Sequence, residues 1–197
     1  DFAVKKRIQS DRFDIDVKQL AFYQTGFQQL VEEQLIADSI AVQSASLKIY
    51  RDMTMPPDTR SKVGKYPHQQ VARIPFPVNI KKVILKNTNV EYKEKGRLLQ
   101  KTGKVTFGNI NAEVVNVTNN KGAENKVITA DIRARFLNRF PVQTLWTFYL
   151  FDANGRFDIK GHLGALNAPA LNVITEPLGG TRVTNGYVRD LRFNFKG

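Results

Sequence analysis

The chain contains no cysteine, two histidines and one tryptophan among its 197 residues. The absence of cysteine excludes a disulfide framework and thiolate chemistry. A metal site would have to be built from carboxylates, and no paired carboxylate spacing indicates one. No apolar run approaches the ~18 residues that a membrane-spanning helix needs. Because the first residue is Asp1 rather than Met, we expect the chain to be a fragment of a larger protein.

The usual signatures of catalysis are also missing. No glycine-rich phosphate loop precedes a helix, and no nucleophile elbow is present. His162 could act as a base, but the sequence offers it neither a nucleophile nor an orienting partner. The stretch 152–158 partly matches a calcium loop, yet a hairpin turn explains it more simply. We therefore expect no enzyme activity, no catalytic residues, no metal and no cofactor.

Positive charge is in excess, with 30 Lys and Arg against 18 Asp and Glu, for a net charge of +12. An anionic partner is possible, whether nucleic acid, an acidic polymer or a membrane surface. The basic residues are spread along the chain, which favours the solvent side of amphipathic strands. Near Phe136 and Phe140 a nucleic-acid platform is conceivable, but aromatic and charged positions alternate there, which favours core packing. Nucleic acid is therefore not the partner that we expect.

One pattern occurs five times: apolar residues alternate, a two-residue polar step intervenes, and the alternation resumes. Alternation predicts strands with one apolar face. The odd spacing across each step would move the second apolar set to the other face of a straight strand, so a bulge or crease is expected there. Similar strands repeated in this way predict an extended, curved sheet. The polar steps are Lys18-Gln19, Gln43-Ser44, Lys86-Asn87, Gly108-Asn109 and Arg189-Asp190.

The remaining signals complete a mainly β fold. Residues 53–78 contain five prolines, which predicts a loop insertion with one helical turn beginning at Pro67. Asn154-Gly155 and Asn185-Gly186 predict hairpins, and 167–179 predicts a short helix stopped by Gly179-Gly180. The prediction is one elongated domain over 1–197. Its architecture is an extended, twisted antiparallel sheet, as a half-barrel or groove, with one or two short helices.

Several segments share patterns of small, apolar and turn residues. They are Ala45–Asp52, Ile74–Ile80, Leu85–Tyr92, Gly103–Ala112, Gly155–Gly164, Ala170–Asn172 and Glu176–Gly179, with Gly186 before the final strand. In these segments the chain resembles the AsmA-like envelope proteins of the Bacteroidota type. The order of a strand, a short Asn-Glu-Pro-Leu helix and a returning strand is similar to the closing portion of AsmA-like repeats.

The resemblance implies a protein related to bridge-like lipid transfer proteins and associated with outer-membrane homeostasis. Such a protein is periplasmic and is anchored in the inner membrane through a segment absent from this chain. Its ligand would be a phospholipid or another acyl-chain lipid, and other envelope proteins are possible partners. An alternative is a structural or protein-interaction scaffold of the cell envelope. The candidate lipid-contact residues are Phe136, Trp146, Phe148 and Leu150.

Overall fold

The computed structural model describes residues 7–197, so residues 1–6 of the predicted domain lie outside the described part. As predicted, the fold is mainly β, with 54% strand and 11% helix. The strands are β1 (Asp11–Tyr23), β2 (Leu35–Asp52), β3 (Val78–Lys95), β4 (Thr102–Thr118), β5 (Val127–Phe136), β6 (Phe140–Tyr149), β7 (Phe157–Leu163), β8 (Leu166–Asn167), β9 (Tyr187–Val188) and β10 (Leu191–Lys196). The helices are α1 (Phe27–Val31), α2 (Pro67–Val71), a 3₁₀ turn (Ala168–Leu171) and α3 (Asn172–Gly179).

Eight strands form one twisted sheet in the order β1-β2-β3-β4-β5-β6-β7-β10, which does not close on itself. Neighbouring strands are antiparallel except β2 and β3, which run parallel. The proline-rich loop causes this exception, because it carries the chain from the end of β2 back to the start of β3. We call this segment, 53–77, the crossover. The predicted antiparallel sheet therefore contains one parallel pair, and β8 and β9 form a separate two-stranded sheet.

Three of the five polar steps contain a backbone crease. Ser44, Asn87 and Asn109 have left-handed φ values of 55°, 48° and 49°. Side-chain oxygens of neighbouring strands support two of them: Asn87 N donates to Asn111 Oδ1 at 3.3 Å, and Asn109 N donates to Asn89 Oδ1 at 3.2 Å. Asparagine tolerates this conformation better than most residues. The creases lie side by side on adjacent strands and keep the apolar set on one face, as the sequence predicts.

The first and last polar steps behave differently. In β1 no residue has a positive φ. Lys18 and Ser44 are nevertheless not paired with each other in the ladder. The pairs on either side of them, Val17 with Ala45 and Gln19 with Gln43, are formed. At Arg189-Asp190 the strand ends, so β9 and β10 belong to different sheets. The predicted hairpin at 185–186 is wrong, because β9 pairs with the distant β8.

The helices follow local signals. Helix α2 begins at Pro67, whose missing N–H costs nothing at the first helical position. Helix α3 is terminated by Gly180, which follows its last residue and adopts the left-handed conformation with φ 66°. The Asn154-Gly155 turn joins β6 to β7 as predicted, and Asp152 Oδ1 accepts hydrogen bonds from the backbone of residues 154 and 156.

Two packed hydrophobic clusters lie near the two ends of the strands. At the end where β3 starts, Ala37, Ile40, Val78 and Ile80 form a buried cluster against which Ile74 of the crossover packs. At the opposite end, a second cluster packs against the segment that follows β7. It contains Phe140, Leu163 and Leu166, with Phe136, Leu171 and Val188 around it. The fold therefore places its two covers at opposite ends of the sheet.

Candidate functional site: an open apolar face with a basic end

One face of the eight-stranded sheet is apolar across its whole width. On this face both members of a cross-strand pair are apolar: Phe13 lies opposite Ile49, and Ile15 lies opposite Leu47. The same holds farther along the sheet, where Trp146 lies opposite Ile159. The opposite face carries charged residues such as Asp131 and Arg133 of β5. We call the first surface the apolar face and the second the polar face.

The crossover covers one end of the apolar face. The ring of His68 lies 5.1 Å from Phe148, and the ring of Tyr66 lies 5.5 Å from Phe157. His68 is 2% exposed, and neither of its ring nitrogens has a hydrogen-bond partner among the described residues. Burial disfavours the charged imidazolium and lowers the pKa of His68. This end of the face is therefore closed by a neutral, aromatic contact.

The segment 166–188 covers the other end. Leu178 of α3 packs on Gly96 and Gly103, and a Cβ on Gly103 would lie 2.7 Å from the Leu178 Cγ. Glycine at this position therefore permits the close approach of the helix. Together with the second core cluster, this contact closes the apolar face where β4 begins.

Strand β1 stays uncovered. Five of its apolar side chains are between 45% and 67% exposed, although they continue the apolar face without interruption. At the far edge, Leu191 and Phe195 of β10 are also exposed. A contiguous exposed apolar surface of this kind usually marks an interaction or ligand site. We call the β1 residues the β1 ladder; they are Phe13, Ile15, Val17, Leu20 and Phe22.

The β1 ladder ends in a basic pocket. Asp11 lies two residues before Phe13, on the same side of the strand, and pairs with Arg51 across the ladder. The Arg51 guanidinium donates two hydrogen bonds to the Asp11 carboxylate, both 2.6 Å long, and this contact raises the pKa of Arg51. The crossover brings Lys62 and Lys65 to the same place, around a pocket of about 420 Å³.

A second arginine of this pocket, Arg60, is also paired with a carboxylate. Arg60 donates from Nε and Nη2 to the two oxygens of Asp58, at 2.8 and 2.7 Å. These bonds hold the pKa of Asp58 far below its ordinary value. Lys62 and Lys65 form no ion pair with any residue in 7–197. The pocket therefore keeps a surplus of positive charge at the end of an apolar ladder.

The four predicted lipid-contact residues lie on or behind the apolar face, but they differ in access. Trp146 and Phe136 are half-buried; Trp146 Nε1 donates to Thr144 Oγ1 at 2.8 Å, and the Phe136 ring lies 5.6 Å from Phe107. Phe148 lies beneath His68. Leu150 is 4% exposed and sits in the turn after β6. In this conformation Trp146 and Phe136 are therefore more accessible to a ligand than Phe148 and Leu150.

The sequence-based candidates did not include the β1 ladder or the basic pocket. The ladder has the right alternation, but alternation does not say which strand lies at an edge of the sheet. The pocket joins Arg51 at the end of β2 to Lys62 and Lys65 of the crossover, and no short motif connects them. A usable signal was the row of basic residues inside the proline-rich loop.

Arg133 and Arg135 lie on the polar face, opposite the side that carries Phe136. The aromatic and basic residues therefore do not form one platform here. Within residues 7–197, no group of three or more His, Cys, Asp or Glu side chains is arranged to hold a metal ion. None of the helices in that range is long and apolar enough to cross a membrane.

No protein-family model matches the chain, and neither a curated protein nor a solved structure matches it significantly.

Proposed function

We propose that this chain is a non-catalytic, lipid-binding segment whose apolar face receives acyl chains. The observation that carries the proposal is the β1 ladder, a row of exposed apolar side chains that continues the face of a folded sheet. Each CH₂ group moved from water onto such a surface contributes about 0.8 kcal/mol. Charged side chains such as Asp131 and Arg133 lie on the polar face, so the same sheet can hold an apolar ligand and remain hydrated.

The resemblance to AsmA-like envelope proteins supports the same proposal from the sequence. On this view the segment belongs to a periplasmic, inner-membrane-anchored protein that transports lipid and contributes to outer-membrane homeostasis. The sheet is open and has a cover at each of its two ends. This arrangement is consistent with a groove in which an acyl chain lies between the two covers. A phospholipid or another acyl-chain lipid is the proposed partner.

A direct test is native mass spectrometry of the purified chain, followed by solvent extraction. We expect phospholipid or fatty acid to co-purify in a defined ratio. Asn substitutions at Ile15 and Val17 place amides on the ladder, and the double change should weaken binding of a fluorescent fatty acid about tenfold through lost apolar contact. Both residues are exposed, so the fold should survive.

The matched control is Asp14→Asn with Asp16→Asn, which alters the polar face of the same strand. This variant should bind the fatty acid as the parent chain does. Equal loss in both variants, with unchanged circular dichroism, would show that the apolar face is not the binding surface.

The alternative is a structural or protein-interaction scaffold of the envelope. The two open edges favour it, because β1 and β10 each have one side without a strand partner among the described residues. Such edges are templates for pairing with another chain. A lipid-free purified chain that binds no fatty acid would favour this function.

A further inference from the structure

The basic pocket and the β1 ladder together form a surface complementary to an amphiphile, with a charged end that adjoins an apolar row. Asp11 and Phe13 lie on the same side of β1, so the pocket opens directly onto the ladder. The ladder from Phe13 to Phe22 is roughly 30 Å long at ~3.3 Å per residue. One leaflet of a bilayer provides about half of its ~30 Å hydrocarbon thickness. An acyl chain that begins at Phe13 therefore fits on the ladder in full.

The charge of the pocket selects the head of this amphiphile. Asp11 neutralises Arg51 through a bidentate contact. Asp58 neutralises Arg60 in the same way. Within residues 7–197, Lys62 and Lys65 remain as surplus cations beside the start of the ladder. Lysine presents a compact ammonium with three rotatable donors, which suits a phosphate that must be held without fixed geometry.

We propose that this pocket binds the phosphate of an anionic phospholipid headgroup while one acyl chain lies along the β1 ladder. The inference rests on the proposed lipid-binding function and adds the class of lipid and its direction on the sheet. The headgroup lies at the end where β1 begins, and the acyl chain points toward Phe22 and α1. Selectivity for anionic over zwitterionic lipids comes from Lys62 and Lys65.

The test compares fluorescent phosphatidylglycerol and phosphatidylcholine that carry identical acyl chains, titrated with the complete chain in dilute detergent. Each exposed charge pair contributes up to about fivefold to a binding constant, so we expect roughly a tenfold preference for phosphatidylglycerol. Lys62→Gln with Lys65→Gln should remove that preference, because phosphatidylglycerol binding weakens about tenfold while phosphatidylcholine, whose choline ammonium offsets the charge of its phosphate, loses much less.

The control is Lys121→Gln with Lys126→Gln, which changes the net charge equally at exposed residues near the opposite end of the strands. It should keep the preference. If the control loses as much preference as the pocket variant, the effect comes from overall charge and the proposed pocket is wrong. If the parent chain binds both lipids equally, the headgroup site is wrong and lipid binding stands.

Binding of neither lipid would overturn the proposed function as well. A separate calorimetric titration with inorganic phosphate distinguishes the two sources of the anion. Saturable binding of inorganic phosphate as tight as that of phosphatidylglycerol, and lost in the pocket variant, would make this a free-phosphate site and overturn the lipid assignment. Weak or absent binding of inorganic phosphate supports a site that needs the acyl chain.

Discussion

The crease at Ser44 allows a quantitative test of how the apolar face is built. A left-handed backbone costs an L-residue about 1–2 kcal/mol, and β-branching makes this conformation worse. Ser44 has φ 55° and, unlike Asn87 and Asn109, is not an asparagine. We therefore expect Ser44→Val to lower the free energy of unfolding by about 2 kcal/mol, within the 1–3 kcal/mol range of such strain.

Urea denaturation followed by the fluorescence of Trp146 measures the effect. With a slope of about 2 kcal/mol per molar, a loss of this size shifts the midpoint down by about 1 M. Ser44→Gly should shift the midpoint little, because relief of strain is offset by the entropy that glycine loses on folding.

The control is Ser46→Val, two residues along the same strand. Ser46 lies in regular register with Asp16 and Asn89, where valine suits an extended backbone. This variant should unfold at or slightly above the parent midpoint. If Ser44→Val and Ser46→Val unfold at the same urea concentration, the left-handed crease is not required and the explanation of the repeated polar step is wrong.

Two further predictions concern packing contacts. Burial lowers the pKa of His68 in the folded chain. As pH falls below about 6.5, the unfolded chain therefore binds a proton before the folded chain does. The stability of the fold is consequently highest above that pH and declines below it. His68→Leu should reduce this decline in urea midpoints measured between pH 7.5 and 5; an identical pH profile in both proteins would contradict it. The Phe193 ring packs over Gly161, so Gly161→Val should displace β10, costing about 1–3 kcal/mol. Hydrogen exchange should then quicken in β10 more than in β5, and unchanged protection of β10 would refute the contact.

Local features of the fold were predictable from the sequence. The alternation of apolar residues gave the strands and their apolar face, and the polar steps indicated creases that the backbone of Ser44, Asn87 and Asn109 confirms. The proline at 67 and the glycine at 180 mark where two helices begin or end. These signals work because each depends on the conformation of a few neighbouring residues.

Long-range features were not predictable in the same way. The parallel pairing of β2 with β3 depends on the path of the crossover, and nothing in either strand differs from an antiparallel pattern. The Asn185-Gly186 dipeptide is a good turn, but the strand after it pairs with residues 166–167 instead of an adjacent hairpin partner. Likewise, alternation in β1 predicted an apolar face but could not show that β1 lies at an edge.

The parallel pair also has a consequence for the order of folding. It divides the sheet into two antiparallel ribbons, β1–β2 and β3 through β7 with β10. Apart from β10, the neighbouring strands of each ribbon follow one another in sequence. Closing a longer loop costs more entropy, and contacts between distant residues form more slowly. We expect each ribbon to assemble first by itself. The joining of β2 to β3 would then be the late event that brings the start of β1 and the crossover together and so completes the basic pocket.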